Sequence, residues 1–285
     1  MQKKNEMLFK ARRFRFDFSK KRKVLIVGIL NITPDSFSDG NRYSRARDAY
    51  KQALRLEAEG ANIIDIGAES TRPGSSGVSE SEELRRLISP LEKIISKVKI
   101  PISIDTSKAC VADECLRIGA SIINDISGLR RDSQMASVIK KYKAGAILMH
   151  MRGKPSTMQS FTHYDNLIKD ILRELKESIK IGLNAGIEFN RLVIDPGIGF
   201  SKTAEQNLEI IHYLKKFLVL KRPVLLGPSR KSFIGAVLNR NVDERLSGTL
   251  ASLGCAVNNG VNMVRVHDVK AVSDFLKMMH AINSV

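Results

Sequence analysis

Eight short apolar runs recur along the chain with little polar alternation inside them. They are rich in Ile, Val and Leu and span residues 24–30, 62–66, 100–104, 121–124, 145–149, 191–194, 223–226 and 262–266. Strands buried on both faces have this composition, whereas half-buried strands alternate apolar and polar positions. The pattern therefore predicts eight buried strands of the kind found in parallel sheets.

A stretch with helical periodicity follows each run. After the helix that ends near Gly60, helices are expected at about 80–98, 108–119, 133–143, 163–185, 203–218, 230–238, 244–259 and 269–282. Ser79 and Glu82 form the S-x-x-E pattern of a helix start. Pro90 predicts a break in that helix, with Ser89 as a fresh N-cap and Pro90 at the first position of the next helix.

Eight βα units in about 260 residues match a (β/α)8 TIM barrel in size and order, and the competing α/β architecture is a doubly wound open sheet. No repeat, linker or composition break indicates a second domain, so residues 24–285 are predicted to form a single barrel domain. In the preceding segment 1–23, Phe14, Phe16 and Phe18 alternate with polar residues. That alternation predicts a β-hairpin that closes one end of the core.

The net charge of +17 is partly concentrated in segment 1–23, which holds ten Lys or Arg residues against Glu6 and Asp17. Such a segment has two interpretations, nucleic-acid binding and a solvated basic hairpin, and the apolar face of the hairpin favours the second. We therefore expect no nucleic-acid partner. The remaining positive charge favours anionic small ligands.

Several classes of protein are disfavoured by what the sequence lacks. No apolar run approaches 18 residues, so no membrane partner is expected. The first residues show no apolar signal segment, which predicts a cytoplasmic location. The three cysteines form no CxxC pair or Cys/His cluster, so neither a disulfide framework nor a zinc site is indicated.

Polar residues collect where the predicted strands end. The first run leads into the irregular stretch 28–40, which contains Asn31 and the single aromatic residue Phe37. Singly, such residues are ordinary helix caps. All eight strand ends nevertheless carry polar groups or a Met-rich turn, and in a barrel these ends form the active-site face.

These residues divide by chemistry into two sets. Asp105, Asn124 and Asp195 would line one side of the barrel mouth with acceptors and an amide, which suits a flat heterocycle with adjacent N–H donors. Arg265 and His267 end the last strand, beside Asn31 on the first, and predict an anion-binding side. Two further residues, Lys231 and Ser232, begin a helix, where backbone N–H groups favour anions.

Eight segments between about residue 24 and residue 269 carry distinctive motifs: GILNITPDSFSDG, DIGAESTRPG, PISIDTSKA, INDISG, LMHMRG, IDPGIGFSK, SRKSFIG and RVHDV. Together they resemble the dihydropteroate synthase family of the folate pathway, the target of sulfonamides. The chain departs from the commonest family form at Ala68, Ser107 and Pro228. Of these, Pro228 bears on the approach of Lys231 and Ser232.

The resemblance implies a transferase that condenses 6-hydroxymethyl-7,8-dihydropterin pyrophosphate with 4-aminobenzoate to give 7,8-dihydropteroate and pyrophosphate. It also implies a Mg²⁺ cofactor held at Asn31 and a homodimer. The catalytic residues would be Asp105, Asp195 and Lys231, and the same three, with Asn124 and Met149, would hold the pterin. The residues implied for pyrophosphate are Asn31, Arg72, Arg265 and His267, and those for 4-aminobenzoate are Phe37, Thr71, Pro73, Gly199, Phe200 and Ser232.

Two alternatives to this function remain. A pterin-dependent methyltransferase of the corrinoid type shares the barrel and the Asp/Asn/Asp set, but it needs no pyrophosphate side, and this chain contains no cobalamin domain. A degenerate paralogue or a basic binding protein acting through segment 1–23 would not be an enzyme. A degenerate copy is expected to have lost polar site residues, and here the set is complete.

Overall fold

A computed structural model describes residues 7–19, 24–32, 42–71 and 74–284 of the chain. An antiparallel hairpin comes first, formed by β1 (Leu8–Ala11) and β2 (Phe14–Asp17). Eight parallel strands follow: β3 (Leu25–Asn31), β4 (Ile63–Gly67), β5 (Ile102–Asp105), β6 (Ile122–Asp125), β7 (Gly145–Met149), β8 (Leu192–Asp195), β9 (Leu225–Leu226) and β10 (Met263–Val266). Every predicted strand is confirmed, because runs of Ile, Val and Leu satisfy both faces of a buried strand.

The sheet closes on itself. Its strands lie in the order β8-β7-β6-β5-β4-β3-β10-β9, and a parallel bridge between Ile194 and Val224 joins the two ends. The backbone N–H of Ile194 donates to the carbonyl oxygen of Pro223 at 3.0 Å across that seam. The single-domain (β/α)8 barrel is therefore confirmed, and the open doubly wound sheet is excluded.

Helices surround the barrel and pack their apolar faces on it. Their bounds are α1 (Arg42–Ala58), α2 (Glu80–Ile95), α3 (Ala109–Ile118), α4 (Met135–Lys141), α5 (Leu167–Asn184), α6 (Ala204–His212), α7 (Ser232–Leu238), α8 (Leu246–Asn258) and α9 (Val269–Ile282). Within the described parts of the chain, none of them is both long and apolar enough to cross a bilayer.

The predicted break at Pro90 is wrong. Helix α2 runs through Pro90 without interruption, and Ser79 caps it by accepting the N–H of Glu82 at 3.2 Å. Proline costs a helix one backbone hydrogen bond. Here Pro90 is buried on the same face as Leu87 and Leu91, so packing against the barrel offsets that loss. The helix predicted at 203–218 is also divided, since α6 ends at His212 and a 3₁₀ helix follows.

The hairpin was predicted to close one end of the core, and the structure places it at the amino-terminal end of the barrel, with Phe14 outside the packed cluster. Phe16 and Phe18 pack against the interior residues at the start of the strands, and the fully buried Phe9 enters among them. The ring of Phe9 fills the space above Gly145, where a Cβ would lie 2.5 Å from it. On the outside, Arg12 Nη1 donates to the carbonyl oxygen of Leu116 at 2.8 Å.

Truncating the side chain of Phe9 is expected to destabilise the whole barrel. Phe9→Ala removes a fully buried ring, which costs about 3–5 kcal/mol of unfolding free energy. Denaturant unfolding measures the effect, and Phe14→Ala is the control. Phe14 is only half-buried and lies outside the apolar cluster around Phe9. Equal stability of the two variants would contradict the role of Phe9.

Candidate active site

A pocket opens at the carboxyl ends of the barrel strands. Period-two alternation points every second strand residue inward, and the parallel register sets Asp105 beside Asn124 and Met149 beside Asp195. The pocket is lined by Ile29, Asp105, Asn124, Ile126, Met149, Asp195, Phe200, Gly227, Ser229, Lys231, Arg265 and His267. Eight of the residues predicted from the sequence therefore meet in one cavity.

The other predicted residues have different positions. Asn31 is exposed at the end of β3, Thr71 is half-buried after β4, and Ser232 is exposed at the start of α7. Gly199 stands behind the pocket with φ +82°, and a Cβ on it would lie 2.8 Å from Cδ of Lys231. Three predicted residues lie outside the described part of the chain: Phe37, Arg72 and Pro73.

An ionic network forms the floor of the pocket. Arg265 donates through Nε to Asp65 Oδ2 at 2.6 Å and through Nη2 to Asp105 Oδ2 at 2.8 Å. Asn124 Nδ2 also donates to Asp65 Oδ2, at 3.0 Å. Arg265, which was predicted to bind an anion, is therefore paired directly with Asp105, which was predicted to bind a heterocycle.

Sequence reasoning assigned no role to Asp65, although this fully buried carboxylate joins Arg265 to Asn124. The alternation of inward and outward positions along β4 could have identified Asp65 as an inward-facing residue. Asp65 is two residues from Ile63, which faces the barrel interior, so both point inward. Ser229 was missed as well, and its hydroxyl contacts Nδ1 of His267 at 3.0 Å.

Burial shifts the protonation of the two pocket carboxylates. Removal from water is the main cause that raises the pKa of Asp105 to about 7, with the charge of Asp65 adding to it and Arg265 opposing it. Burial likewise raises the pKa of Asp195, against the opposing effects of Lys231 and the N–H of Gly197, which donates at 2.7 Å. Both carboxylates of the pocket are therefore protonated more readily than in water, and the pKa of Asp105 lies near neutral pH.

Lys231 is the amino group of the pocket. It is the N-cap residue of α7, its Nζ donates to the carbonyl oxygen of Ile198, and it lies 4.5 Å from the ring centroid of Phe200. Burial lowers the pKa of Lys231 to about 8, although Asp195 opposes the shift. The amine is therefore poised to change charge just above neutral pH.

The residues present fit a magnesium ion that arrives with a phosphorylated ligand. No cluster of three His, Cys, Asp or Glu side chains suitable for a metal occurs among the described residues. The amide oxygen of Asn31 is a hard ligand at the rim, and Oδ1 of Asp105 is buried without a hydrogen-bond partner in the described structure. Magnesium commonly takes one or two protein oxygens and completes its shell with water and substrate phosphates.

Comparison with known proteins identifies the class. The family model described as pterin binding enzyme matches residues 27–267, so the chain belongs to the pterin-binding enzymes. Dihydropteroate synthase of Bacillus subtilis is 47% identical over 93% of this chain and 90% of its own length. The dihydropteroate synthase of Synechocystis is 43% identical over 94% of this chain and 92% of its own length. Within the pterin-binding enzymes, the chain belongs to the dihydropteroate synthase family.

Solved structures agree with that placement. Dihydropteroate synthase of Clostridium difficile, determined in the presence of pteroic acid, superimposes with a TM-score of 0.87 at 44% identity, over 92% of this chain and 98% of that one. The Xanthomonas albilineans enzyme with 4-aminobenzoic acid superimposes with a TM-score of 0.90 at 36% identity, over 98% of this chain and 99% of that one. The Yersinia pestis enzyme in complex with a sulfonamide drug superimposes with a TM-score of 0.91 at 38% identity, over 98% of this chain and 100% of that one.

Proposed function

We infer that the protein is a dihydropteroate synthase, a transferase of folate biosynthesis. It condenses 6-hydroxymethyl-7,8-dihydropterin pyrophosphate with 4-aminobenzoate to give 7,8-dihydropteroate and pyrophosphate. The observation that carries this conclusion is the convergence of Asp105, Asn124, Asp195 and Lys231 with Arg265 in one pocket of a chain 47% identical to such an enzyme.

The pterin occupies the floor of the pocket in this proposal. Asp195 and Asn124 meet its polar edge, and Met149 packs against its face. Buried hydrogen-bonding groups discriminate strongly for a ligand that satisfies them, because a poorer ligand leaves them unpaired. The rigid position of Asn124, whose Nδ2 is held by Asp65, supports this assignment.

The proposed reaction is an SN1-like substitution at the pterin methylene. The C–O bond to pyrophosphate breaks, pyrophosphate leaves with the electron pair, and positive charge develops on the methylene and ring. Asp105 and Asp195 stabilise that charge electrostatically. The amine of 4-aminobenzoate then supplies its lone pair to the methylene and loses a proton, so no protein nucleophile is needed.

The leaving group lies at the cationic rim of the pocket in this scheme. Arg265 and His267, with Asn31 and Arg72, would hold the pyrophosphate. Asn31 would also hold a magnesium ion, which would further neutralise the charge of the leaving group when bound. Because Arg265 is paired with Asp65 and Asp105, an incoming pyrophosphate competes with these carboxylates for its guanidinium group.

The second substrate is assigned to the outer part of the site. Ser232 at the start of α7 and Phe200 beside Lys231 support this position. The remaining residues proposed for 4-aminobenzoate are Phe37, Thr71, Pro73 and Gly199. Excluding water there protects the cation from hydrolysis.

One assay tests the proposed function. Purified protein should release pyrophosphate only when the pterin pyrophosphate and 4-aminobenzoate are both present, and chelation of Mg²⁺ should slow that release. Methyl transfer without pyrophosphate release would favour the corrinoid-type methyltransferase, and pterin binding without turnover would favour a degenerate paralogue.

Three features of assembly and location complete the proposal. We propose a homodimer, a cytoplasmic location, and a division of the chain into a basic hairpin segment 1–23 and a catalytic barrel 24–285. The packing of Phe9 into the barrel end supports a structural task for the hairpin. Light scattering measures the first of these features and cell fractionation the second.

The pH dependence of kcat/KM should be bell-shaped. The pKa of Asp105 is raised to about 7, so its stabilising negative charge is lost as the pH falls below that value. The pKa of Lys231 is lowered to about 8, so its positive charge is lost as the pH rises above it. Initial rates between pH 5.5 and 9.5 measure both limbs, and a flat profile would contradict the roles of these two groups.

A further inference from the structure

Ser229 and His267 join the two turns that follow the last two strands of the barrel. Ser229 lies between β9 and α7, and His267 lies between β10 and α9. The backbone N–H of His267 donates to Ser229 Oγ at 3.2 Å, and Oγ lies 3.0 Å from Nδ1 of the same histidine. One hydroxyl group therefore contacts both the backbone and the ring of His267.

The backbone hydrogen bond determines the direction of the ring hydrogen bond. Oγ of Ser229 already accepts the N–H of His267, and Ser229 is only 5% exposed, so its O–H needs an acceptor inside the protein. Among the described residues, the acceptor that it reaches is Nδ1 of His267, at 3.0 Å. Nδ1 therefore carries no proton, and the proton of the neutral ring is on Nε2.

Burial does not hold the ring of His267 in place. His267 is exposed at the rim of the pocket, whereas Ser229 is buried in its wall. Fixing an exposed side chain when a ligand binds costs conformational entropy. A hydrogen bond to a buried group restrains the ring in advance, so that cost is lower, and the same bond sets which ring nitrogen donates.

Ser229 is itself held by contacts that do not involve its hydroxyl group. The next residue, Arg230, adopts a left-handed conformation with φ +55°. Its guanidinium group donates to both carboxylate oxygens of Asp268, at 2.8 and 2.7 Å, and its backbone N–H donates to Thr249 Oγ1 at 3.0 Å. Removing the hydroxyl group alone therefore leaves the turn that carries Lys231 in place.

We propose that Ser229 is a positioning residue that fixes the tautomer and orientation of the His267 ring, so that Nε2–H donates to the pyrophosphate group. The inference rests on the proposed function, which assigns His267 to pyrophosphate. A donor aimed in advance at a developing charge costs no reorganisation when the bond to the leaving group breaks. Ser229 thus contributes to the binding and departure of pyrophosphate, and it acts through His267.

The first test is Ser229→Ala, which removes the hydroxyl group and keeps the backbone. Its affinity for inorganic pyrophosphate in the presence of Mg²⁺, measured by titration calorimetry, should fall about 3- to 10-fold, the effect of one hydrogen bond. Its affinity for dihydropteroate, which carries no phosphate, should stay within about 2-fold of the wild type.

Ser178→Ala is the matched control for this titration. Ser178 is also buried, and its hydroxyl group donates to the carbonyl oxygen of Glu174 in α5, outside the pocket. This variant should bind both ligands as the wild type does. Equal losses for both ligands in Ser229→Ala, or an undiminished affinity for pyrophosphate, would overturn the proposal.

A double-mutant cycle tests whether Ser229 acts through His267. In the His267→Ala background, Ser229→Ala should cause no further loss of pyrophosphate affinity, because the ring that it positions is absent. A further loss would show that the hydroxyl group contacts pyrophosphate directly and would refute the positioning role.

Nitrogen NMR of histidine-labelled protein measures the tautomer itself, and comparison with His267→Ala identifies the signals of His267. At a pH where the ring is neutral, the wild type should carry the proton on Nε2, and Ser229→Ala should show a larger share of the Nδ1-protonated form. A wild-type ring protonated at Nδ1 would contradict the proposal. Because this readout needs no turnover, the expected tautomer without pyrophosphate release would refute the proposed function alone.

Discussion

Lys231→Ala is expected to lower kcat/KM by roughly 10²–10³-fold, the loss seen when one preorganised charged or polar contact to a transition state is removed. Its Nζ donates to the Ile198 carbonyl oxygen and lies against Phe200, so it is fixed at the boundary between the two proposed substrate positions. Gly199 leaves space for its stem. Steady-state rates of pyrophosphate release with each substrate varied in turn measure the effect.

Lys277→Ala provides the control for that measurement. Lys277 carries the same charge on the exposed surface of α9, remote from the pocket. It should leave kcat/KM unchanged. A Lys231→Ala enzyme with kcat/KM near that of this control would remove Lys231 from the catalytic set, whatever its effect on stability.

Asp105→Asn is expected to lower kcat about 10²-fold while weakening the pterin complex much less. The amide retains the shape and much of the hydrogen bonding of the carboxylate but lacks the negative charge that is proposed to stabilise the developing cation. The acidic limb of the pH profile should disappear in this variant, because the group whose pKa is raised to about 7 is gone.

The measurement pairs single-turnover rates with equilibrium titration of the pterin substrate. Asp274→Asn is the matched control, since that carboxylate lies on the exposed face of α9. Equal losses of binding and turnover in Asp105→Asn would indicate that Asp105 only binds the pterin. Retention of the acidic limb would assign that limb to another group.

The barrel strands could be predicted because both of their faces are buried. A run such as 145–149 has no polar positions, so its burial is encoded in the sequence without any knowledge of its neighbours. Pro90 illustrates the limit of this reasoning. Local propensity favours a break there, and only the packing of its helix against the barrel decides otherwise.

The site could be predicted as a set of strand-end residues but not as a network. Asp105 and Arg265 were recognised by type and position, whereas their ion pair joins residues 160 positions apart and depends on the closure of the barrel. Alternation with Ile63 indicates that Asp65 points inward, but its ion pair with Arg265 likewise forms only in the folded barrel. The buried position of Phe9 could not be predicted, because its neighbours in sequence do not indicate which end of the barrel the hairpin covers.

The hairpin seal at the amino-terminal end has a kinetic consequence. Phe9 and the inward-facing strand residues packed with it fill that end, so every molecule that reaches the pocket floor passes through the mouth at the carboxyl ends of the strands. A ligand on the floor must therefore enter before one that lies above it and must leave after it. With the pterin substrate on the floor and 4-aminobenzoate above it, as proposed, the two substrates should bind in that order, and filling the outer position first should give dead-end inhibition.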